Sequence, residues 1–485
     1  MDVGHGFLRA LTLPALILIR VPERYRAFTM GDAVEAGGGR RWIVAILAVA
    51  LTLRLAALLF LNASLAEDRD AYLGIAQSLA EGRGYSSPGS TSATAYRPPL
   101  YPVLIAGLLL AGGTLQTLGI IQAALGTVAV WLTYRAGQLW LGSRPAALAA
   151  AIVAVEPLGL VNTSLVMTET IATFLLAAWL VGLATPAERE PSGDGTGLPL
   201  SPRRYAGRAF WTGVIAGLAT LCRPIMLPTT LVGQVWSEGA RVRMSGRSDS
   251  HAIRMSLISL LAFLAGLVLT LAPWTVRNWL QFGQPIVTTT HGGYTLLLGH
   301  NPSYSREVVH GPAGAVWPGP SLEAWQRSVD AELEQKGIGP RDEVRRDRAM
   351  AAMAWQTIQT DPVEAVRSGA TLLARLWSLS PRSTPERPIP RAVAVSILLF
   401  NVGLLTLALV GLISLVVTRL PLAGLLLVPP TVFTAMHSLY WADQRMRAPL
   451  VPVLALLAAW GVTCLRKWSR GTSVRPTASA SGGAC

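Results

Sequence analysis

The sequence predicts an all-α membrane protein with roughly ten transmembrane helices. Of its 485 residues, 51% are hydrophobic and only 14% are charged, and the mean hydropathy is +0.44. Ordinary soluble domains carry about 25% charged residues. The apolar residues also occur in long runs, and arginines collect in alternate loops between these runs. Each of these observations favours a chain that crosses a lipid bilayer many times.

The charge of the chain fits a membrane protein better than a nucleic-acid-binding protein. The formal net charge is +14, and nearly all of the positive residues are arginines, since Lys336 and Lys467 are the only lysines. These arginines form short groups between apolar segments and no continuous basic domain. The cysteines, Cys222, Cys464 and Cys485, are widely separated and indicate neither a disulfide framework nor a zinc site.

The chain begins with a basic leader, residues 1–41, which we place in the cytoplasm. Its apolar stretch, Phe7–Ile19, is interrupted by Arg9 and Pro14 and is shorter than the roughly 20 residues that a spanning helix needs. We therefore predict a helix that lies on the membrane surface, with a cleaved signal peptide as the alternative. The next apolar run, residues 42–61, is long enough to form the first span.

A polar outer loop, residues 63–115, follows the first span. Arg40 and Arg41 precede that span and place its start inside the cell, so the loop after it is predicted to lie outside. The loop contains an apolar run of about a dozen residues, 100–111, which is too short to cross the bilayer. We expect this run to form a juxtamembrane or re-entrant helix, because only then do the later arginines fall on the cytoplasmic side.

Six further apolar runs complete a transmembrane core that extends from residue 42 to residue 274. Arginines in its short loops fall on the cytoplasmic side, as the positive-inside rule requires. A linker rich in Pro, Gly and charge, residues 185–208, is predicted to lie on that side as well. The six predicted spans are residues 120–134, 145–161, 171–184, 211–221, 227–236 and 255–274.

A long region of mixed polarity, residues 275–391, is predicted to lie outside, since loops longer than about 60 residues translocate regardless of charge. Its amphipathic residues 365–377 are expected to lie on the outer face of the membrane. Residues 392–465 then form a C-terminal helical region, and the cationic tail 466–485 is predicted to be disordered in the cytoplasm. The three C-terminal spans are residues 393–417, 422–440 and 449–465.

The first outer loop carries acids that are candidates for catalysis. Asp68 and Asp70 lie at its start, and a carboxylate beside a membrane surface can act as a general base toward an acceptor hydroxyl or amine. Glu169, at the outer end of a later span, is a candidate for a second acid in the same cavity. Solvated loop acids, or for Glu169 an acid at a helix N-terminus, are the alternative interpretation. Glu156, before Pro157, is a candidate for a buried partner.

Arginines at the predicted outer ends of helices are candidates for anion binding. Arg97 precedes two prolines that would fix its backbone, and a guanidinium suits a phosphate or pyrophosphate leaving group. The positive-inside rule does not require the other outer arginines, so they are candidates for the same cavity. Snorkelling toward the membrane surface is the alternative. These four residues are Arg223, Arg277, Arg445 and Arg447.

These motifs, in this order, resemble the polyprenyl-phosphate-sugar glycosyltransferases of the GT-C superfamily, which include family 39 protein O-mannosyltransferases and lipid A aminoarabinose transferase. The most specific matches are D-x-x-x-Y at Asp68–Tyr72, G-x-G-Y at Gly82–Tyr85 and an aromatic-R/K-P-P-x-Y/W segment at Tyr96–Tyr101. Weaker matches are Glu169, Arg223-Pro224, PWTVRN at 273–278, GHNP at 299–302 and R-x-R-x-P-x-x-P at 445–452. Arg69 departs from the mannosyltransferase pattern, in which an acid follows the aspartate.

The resemblance implies a GT-C-like bundle with outer juxtamembrane helices, one large extracytoplasmic loop and an inverting sugar transfer. It implies that Asp68 is the catalytic aspartate, that Arg97 contacts the lipid-linked phosphate and that Glu169 is the second acid. Asp70 could share the role of Asp68. The matched motifs also supply candidate substrate-binding residues, although His291 and His300 by themselves favour structural roles. These candidates are Tyr72, Tyr96, Tyr101, Asn278, His300 and Asn301.

The expected function is transfer of a hexosyl or pentosyl group from a polyprenyl-phosphate donor to a glycolipid, polysaccharide or protein outside the cell. The expected location is the plasma membrane, with the active site on the extracytoplasmic side. The candidate residues require no cofactor, and they leave the use of a divalent metal open. One alternative is a lipid-linked-sugar transporter or flippase, for which the sequence shows neither inverted repeats nor broken helices. The other is an inactive assembly subunit with the same fold.

Overall fold

The computed structural model describes residues 38–61, 65, 67–68, 70–184, 201–245, 250–312, 315, 317, 319–381 and 389–469. The prediction of an all-α protein is confirmed, since these residues form helices joined by turns and irregular segments. Their only extended pairing is an isolated antiparallel bridge between Ser86 and Ala93. Most of the leader, most of the 185–208 linker, Arg69 and the tail beyond residue 469 lie outside the described residues.

The first four helices are α1 (Gly38–Phe60), α2 (Tyr72–Ala80), α3 (Leu100–Leu110) and α4 (Leu115–Leu141). Helix α3 has only 11 residues and is too short to cross a bilayer, as the length of its apolar run predicted. It packs against α2, where the rings of Tyr72 and Tyr101 meet edge to face with centroids 5.3 Å apart. The first outer loop therefore folds into two short helices beside the bundle.

The expected single span at residues 145–161 is interrupted. It consists of α5 (Ser143–Val155) and α6 (Pro157–Asn162), which are separated at Glu156. Pro157 starts α6, and the Glu156 carboxylate accepts hydrogen bonds from the amides of Leu158 and Gly159. Arg54 of α1 satisfies carbonyl oxygens at the end of α5. The expectation that the core has no broken helix was therefore wrong.

Four longer helices complete the core: α7 (Glu169–Ala184), α8 (Pro202–Cys222), α9 (Met226–Ser245) and α10 (Ser250–Phe282). Helix α10 continues eight residues past the predicted end of its span at Trp274, so its outer end carries Arg277. Helices α8 and α10 pack with their backbones in contact. A Cβ atom built on Gly213 would lie 2.0 Å from the carbonyl oxygen of Phe263, so only glycine fits there.

The long polar region forms a second, smaller hydrophobic core. It contains α11 (Gly292–Gly299), α12 (Pro302–Tyr304), a π-helical turn (Ser305–Val309), α13 (Gly319–Gln335), α14 (Glu343–Thr360) and α15 (Pro362–Leu376). The amphipathic segment predicted at residues 365–377 is α15, and its apolar side packs into this core through Leu372 and Leu376. Trp325 and Leu333 of α13 are buried in the same cluster. Hydrophobic burial thus stabilises the outer helices as a unit.

The chain ends with α16 (Arg391–Thr418), α17 (Leu420–His437), a 3₁₀ helix (Gln444–Leu450) and α18 (Val451–Ser469). Within the described ranges, six helical segments are long and apolar enough to cross a membrane. The count of roughly ten spans remains a prediction, because α7 is short and α8 and α9 are less apolar. The six segments are Arg41–Phe60, Leu115–Leu141, Ser250–Phe282, Arg391–Thr418, Leu420–His437 and Gln444–Ser469.

Candidate active site

Three arginines and two acids form a continuous chain of ion pairs at one end of the bundle. Arg97 contacts Asp70 at 3.0 Å, and Asp70 contacts Arg445 at 3.2 Å. Arg445 in turn lies 3.2 Å from Glu169, which lies 3.1 Å from Arg223. We refer to these five residues as the ion-pair chain. It unites five of the residues that the sequence singled out.

Each member of the ion-pair chain lies at the end of a helix. Asp70 precedes α2 and Arg97 precedes α3, while Glu169 is the first residue of α7. Arg223 directly follows α8, and Arg445 belongs to the 3₁₀ helix before α18. Helix ends are where a bundle can present charged side chains without burying them among apolar helix faces. The fold therefore brings five distant parts of the sequence to one place.

The ion-pair chain is positively charged and shielded from solvent. Its three arginines and two acids have a formal net charge of +1. Glu169 is only 1% exposed. Burial alone would raise the pKa of Asp70, but the charges of Arg97 and Arg445 outweigh it and hold this pKa below its usual value. Burial likewise opposes the charge of Arg97, yet Tyr72 and Asp70 raise its pKa. Asp70 and Arg97 are thus a stable ion pair.

Asp68 lies beside the ion-pair chain and has different partners. Its Oδ1 accepts a hydrogen bond from the amide of Leu73 at 2.9 Å, and its Oδ2 accepts one from the amide of Gly74 at 2.8 Å. These are free amides of the first turn of α2, where a negative charge is favourable. Ala71, at the turn between Asp68 and the helix, has a left-handed backbone with φ of 62°. The carboxylate of Asp68 is therefore held in one orientation.

Aromatic side chains surround Arg97. The guanidinium carbon lies 4.9 Å from the ring centroid of Tyr96 and 5.4 Å from that of Tyr72, which are cation–π distances. The hydroxyl of Tyr85 donates to the carbonyl of Arg97 at 2.8 Å. Tyr101 is fully buried, and its hydroxyl donates to the side-chain oxygen of Gln122 at 2.9 Å. Tyr72 and Tyr96 thus border the site, and Tyr101 supports it from within the bundle.

Two of the predicted phosphate ligands lie outside the ion-pair chain. Arg277 donates to the carbonyls of Thr94 and Tyr85, each at 2.7 Å. Arg447, which is 2% exposed, donates to the carbonyl of Ser378 at 2.9 Å and to Asn401 at 3.1 Å. These contacts hold loops in place. The structure therefore favours a positioning role for both arginines, and their role as phosphate ligands remains untested.

The remaining predicted substrate-binding residues also make structural contacts. Asn278 is buried and donates to the carbonyl of Ile286 at 2.8 Å. Asn301 caps α12, where its side-chain oxygen accepts from the amide of Tyr304 at 2.9 Å. His300 is 2% exposed and lies at the end of α11 in the outer core. None of the three contacts the ion-pair chain in the described structure, so their predicted role in substrate binding remains untested.

Glu169 joins the ion-pair chain to a polar cavity inside the bundle. Its Oε1 faces the arginines, whereas its Oε2 is buried and has no hydrogen-bond partner among the described residues. Arg54, Glu156 and Asn162 line the same cavity. The side-chain nitrogens Nε of Arg54 and Nδ2 of Asn162 are also buried without an acceptor. Each of these three polar groups therefore lies in or beside the cavity without a hydrogen-bond partner in the described part of the protein.

Sequence reasoning missed Glu343 and assigned only a structural role to His291. Glu343, the first residue of α14, accepts hydrogen bonds from Thr94 and from the amide of Ala95 at 2.6 and 2.7 Å. His291 stacks on Tyr294 and meets Tyr96 edge to face, and burial and the charge of Arg97 lower its pKa well below the usual value. No local motif marks these residues, because their partners are distant in sequence. Across the described part of the chain, no group of three or more His, Cys, Asp or Glu could hold a metal ion.

We expect the Arg277→Ala substitution to destabilise the fold. Arg277 bonds to two loop carbonyls and packs over the rings of Trp274 and Phe282. The carbonyl of Tyr85 still accepts from the amide of Thr94, but the carbonyl of Thr94 loses this donor. Leaving one buried acceptor unpaired costs about 1–3 kcal/mol, so the unfolding temperature in detergent should fall by a few degrees. Arg254→Ala, at the exposed opposite end of α10, is the matched control. Equal unfolding temperatures for both variants would contradict the positioning role of Arg277.

The sequence matches no protein-family model and no curated protein. Among solved structures it is similar to the archaeal oligosaccharyltransferase AglB from Archaeoglobus fulgidus in complex with an inhibitory peptide and a dolichol-phosphate. The identity is 14%, the TM-score is 0.50, and the match covers 91% of this chain and 53% of that chain. ArnT from Cupriavidus metallidurans bound to undecaprenyl phosphate matches with 14% identity and a TM-score of 0.34, covering 88% of this chain and 79% of that one.

The similarity to the archaeal oligosaccharyltransferase, at a TM-score of 0.50, shows the fold. The chain has the GT-C fold that its motifs predicted, and it spans about half the length of the archaeal oligosaccharyltransferase. The apo form of that enzyme gives a similar match, with 16% identity, a TM-score of 0.49 and coverage of 90% of this chain and 53% of that chain. At such identities the fold does not carry an activity with it. The activity has to be argued from the ion-pair chain and Asp68.

Proposed function

We propose that this protein transfers a sugar from a polyprenyl-phosphate donor to an extracytoplasmic glycolipid, polysaccharide or protein, with inversion at the anomeric carbon. The observation that carries this proposal is the ion-pair chain, a shielded cluster with excess positive charge at helix ends. Such a cluster is suited to a phosphate that gains negative charge as the sugar leaves. The GT-C fold supports the proposal, because the archaeal oligosaccharyltransferase with this fold was solved with a dolichol-phosphate.

Arg97, Arg223 and Arg445 are the proposed phosphate ligands. Each guanidinium already lies within 3.2 Å of a carboxylate oxygen, and a phosphate offers more acceptor oxygens for charge-assisted hydrogen bonds. Asp70 and Glu169 keep the three arginines close together until the donor binds. The guanidinium groups neutralise the leaving phosphate in this mechanism, so no cofactor is required. The chemistry of these residues neither requires nor excludes a divalent metal.

Asp68 is the proposed general base. The acceptor oxygen or nitrogen attacks the anomeric carbon from the side opposite the phosphate, and its proton passes to Asp68. The bond from the anomeric carbon to the phosphate oxygen breaks, and its electron pair leaves with the polyprenyl phosphate. Asp70 is less suited to this role, because both of its oxygens bond to guanidinium groups and its pKa is lowered. Among the described residues, the carboxylate of Asp68 bonds only to neutral amides, which leave lone pairs available.

One feature favours the alternative of a lipid-linked-sugar transporter. Broken helices with polar groups at their ends form the binding sites of many transporters, and α5 and α6 are interrupted in this way. Here, however, Arg54 and Glu156 of the same chain already satisfy those helix ends. This arrangement stabilises the break without a transported ligand. An inactive assembly subunit, the other alternative, would keep the fold without needing Asp68.

The direct test measures the release of polyprenyl phosphate. Purified protein is incubated with a panel of polyprenyl-phosphate sugars and crude envelope acceptors, and the released lipid phosphate and the labelled acceptor are quantified together. We expect one donor to give both products in equal amounts. Binding of a donor without release, across the whole panel, would contradict the proposal and support a transporter or an inactive subunit.

A further inference from the structure

Glu343 connects the outer helices to the loop that carries Arg97. Its Oε1 accepts from the amide of Ala95 at 2.7 Å and its Oε2 from the hydroxyl of Thr94 at 2.6 Å. Its Oε1 also accepts from the hydroxyl of Thr290. Thr94 and Thr290 are 1% and 4% exposed, so these bonds are protected from water. A single carboxylate thus binds two segments that are almost 200 residues apart.

The two segments that Glu343 holds also bond to each other. The amide of Thr290 donates to the carbonyl of Ala95 at 3.0 Å, and the hydroxyl of Thr289 donates to the carbonyl of Tyr96. The residues that follow place Tyr96 against His291, with ring centroids 4.2 Å apart. One turn further along α14, Asp347 accepts from the amide of Gly293 at 2.6 Å and fixes the start of α11. The backbone on both sides of this ring pair is therefore fixed by α14.

Arg97 depends on this arrangement because it lies only two residues after Ala95. Its Nε donates to the carbonyl of Asp70 at 2.7 Å, and its Nη2 donates to the carboxylate of Asp70 at 3.0 Å. These directional bonds are best met when the Arg97 backbone stays near its observed position. Pro98 follows and restricts the backbone on the other side. Residues 94–96 are held by Arg277, which donates to the carbonyl of Thr94 at 2.7 Å, and by Glu343, which connects them to α14.

We propose that Glu343 is a positioning residue that holds residues 94–97 so that Arg97 faces Asp70 and the donor phosphate. This inference rests on the proposed function for its catalytic meaning, whereas the positioning itself does not depend on it. When the outer helices pack in place, Glu343 then also positions Arg97 in the phosphate site. A carboxylate is needed because three donors converge on it, which a neutral side chain of the same size satisfies only in part.

The test combines hydrogen exchange with donor binding in Glu343→Ala, Glu343→Gln and Asp342→Ala. Asp342 is the neighbouring exposed acid, which pairs only with Arg345 at 3.5 Å, and its variant is the matched control. In Glu343→Ala we expect the amides of residues 94–97 to exchange about tenfold faster or more and the Kd for polyprenyl phosphate to rise about tenfold. The glutamine variant should recover part of both effects, since one acceptor oxygen remains.

The outcomes separate this inference from the proposed function. Unchanged exchange at residues 94–97 in Glu343→Ala, or an equal change in Asp342→Ala, would overturn the positioning role. Faster exchange with an unchanged Kd would show that Glu343 holds the loop but that the loop does not position Arg97 for phosphate, which also overturns the inference. If the wild type binds no polyprenyl phosphate, the proposed function fails, and the exchange data still decide whether Glu343 holds the loop.

Discussion

Asp68→Asn should lower the rate of sugar transfer about 10²–10⁴-fold, the range that a general base contributes. The asparagine keeps the size of the side chain and one oxygen that can accept from an α2 amide, but it cannot take a proton from the acceptor. The Kd for the donor should stay within about twofold of the wild-type value, because Asp68 lies outside the ion-pair chain. Single-turnover release of polyprenyl phosphate and equilibrium donor binding measure the two quantities.

The structural role of Asp68 calls for a control. Both of its oxygens cap α2, so the amide of the asparagine would face one N–H group and weaken the cap by about 1 kcal/mol. Gly74→Ala keeps the base but crowds the same turn, since its Cβ would lie 2.7 Å from Pro88 and 3.3 Å from Oδ2 of Asp68. If Gly74→Ala loses as much activity as Asp68→Asn, the loss is structural. Equal release by Asp68→Asn and the wild type would move the base to Asp70 or Glu169.

The sequence was sufficient to identify all five residues of the ion-pair chain as candidates. Asp70, Arg97, Glu169, Arg223 and Arg445 are charged residues at the ends of apolar segments, where a charge is costly unless it is paired or functional. The same rule selected Arg277 and Arg447 as well. An arginine that binds backbone carbonyls and one that faces an anion have the same sequence signature. Only the contacts in the folded structure distinguish the two kinds of arginine. Those contacts depend on loops whose conformation the hydropathy pattern does not predict.

Two other features show what the sequence pattern could not predict. The break between α5 and α6 could have been predicted, since Pro157 removes a helical hydrogen bond and Glu156 is an acid at a helix start. No local pattern predicts that Arg54, about 100 residues earlier, donates hydrogen bonds to the carbonyls at the end of α5. Glu343 is similar, because its partner Thr94 is 249 residues away. Pairings between distant segments are set by packing of the whole chain, which has no local signature.

Arg445→Gln should cause the largest loss of stability and of donor binding together. Arg445 bonds to both Asp70 and Glu169, and Glu169 is 1% exposed. Removing one partner of a buried ion pair costs about 3–5 kcal/mol, and we expect the lower end because Arg223 still contacts Glu169. The Kd for polyprenyl phosphate should rise by about 10- to 150-fold, since a charge-assisted hydrogen bond contributes about 1.5–3 kcal/mol.

The double variant Glu169→Gln/Arg445→Gln separates these two effects. It removes the Glu169 carboxylate together with Arg445, but it also leaves Arg223 without this carboxylate, so the unfolding temperature should recover part of its loss. Donor binding should remain weak, because the phosphate still lacks Arg445. If binding recovers along with stability, Arg445 serves only to neutralise Glu169, and the phosphate site must then be assigned to Arg97 and Arg223 alone.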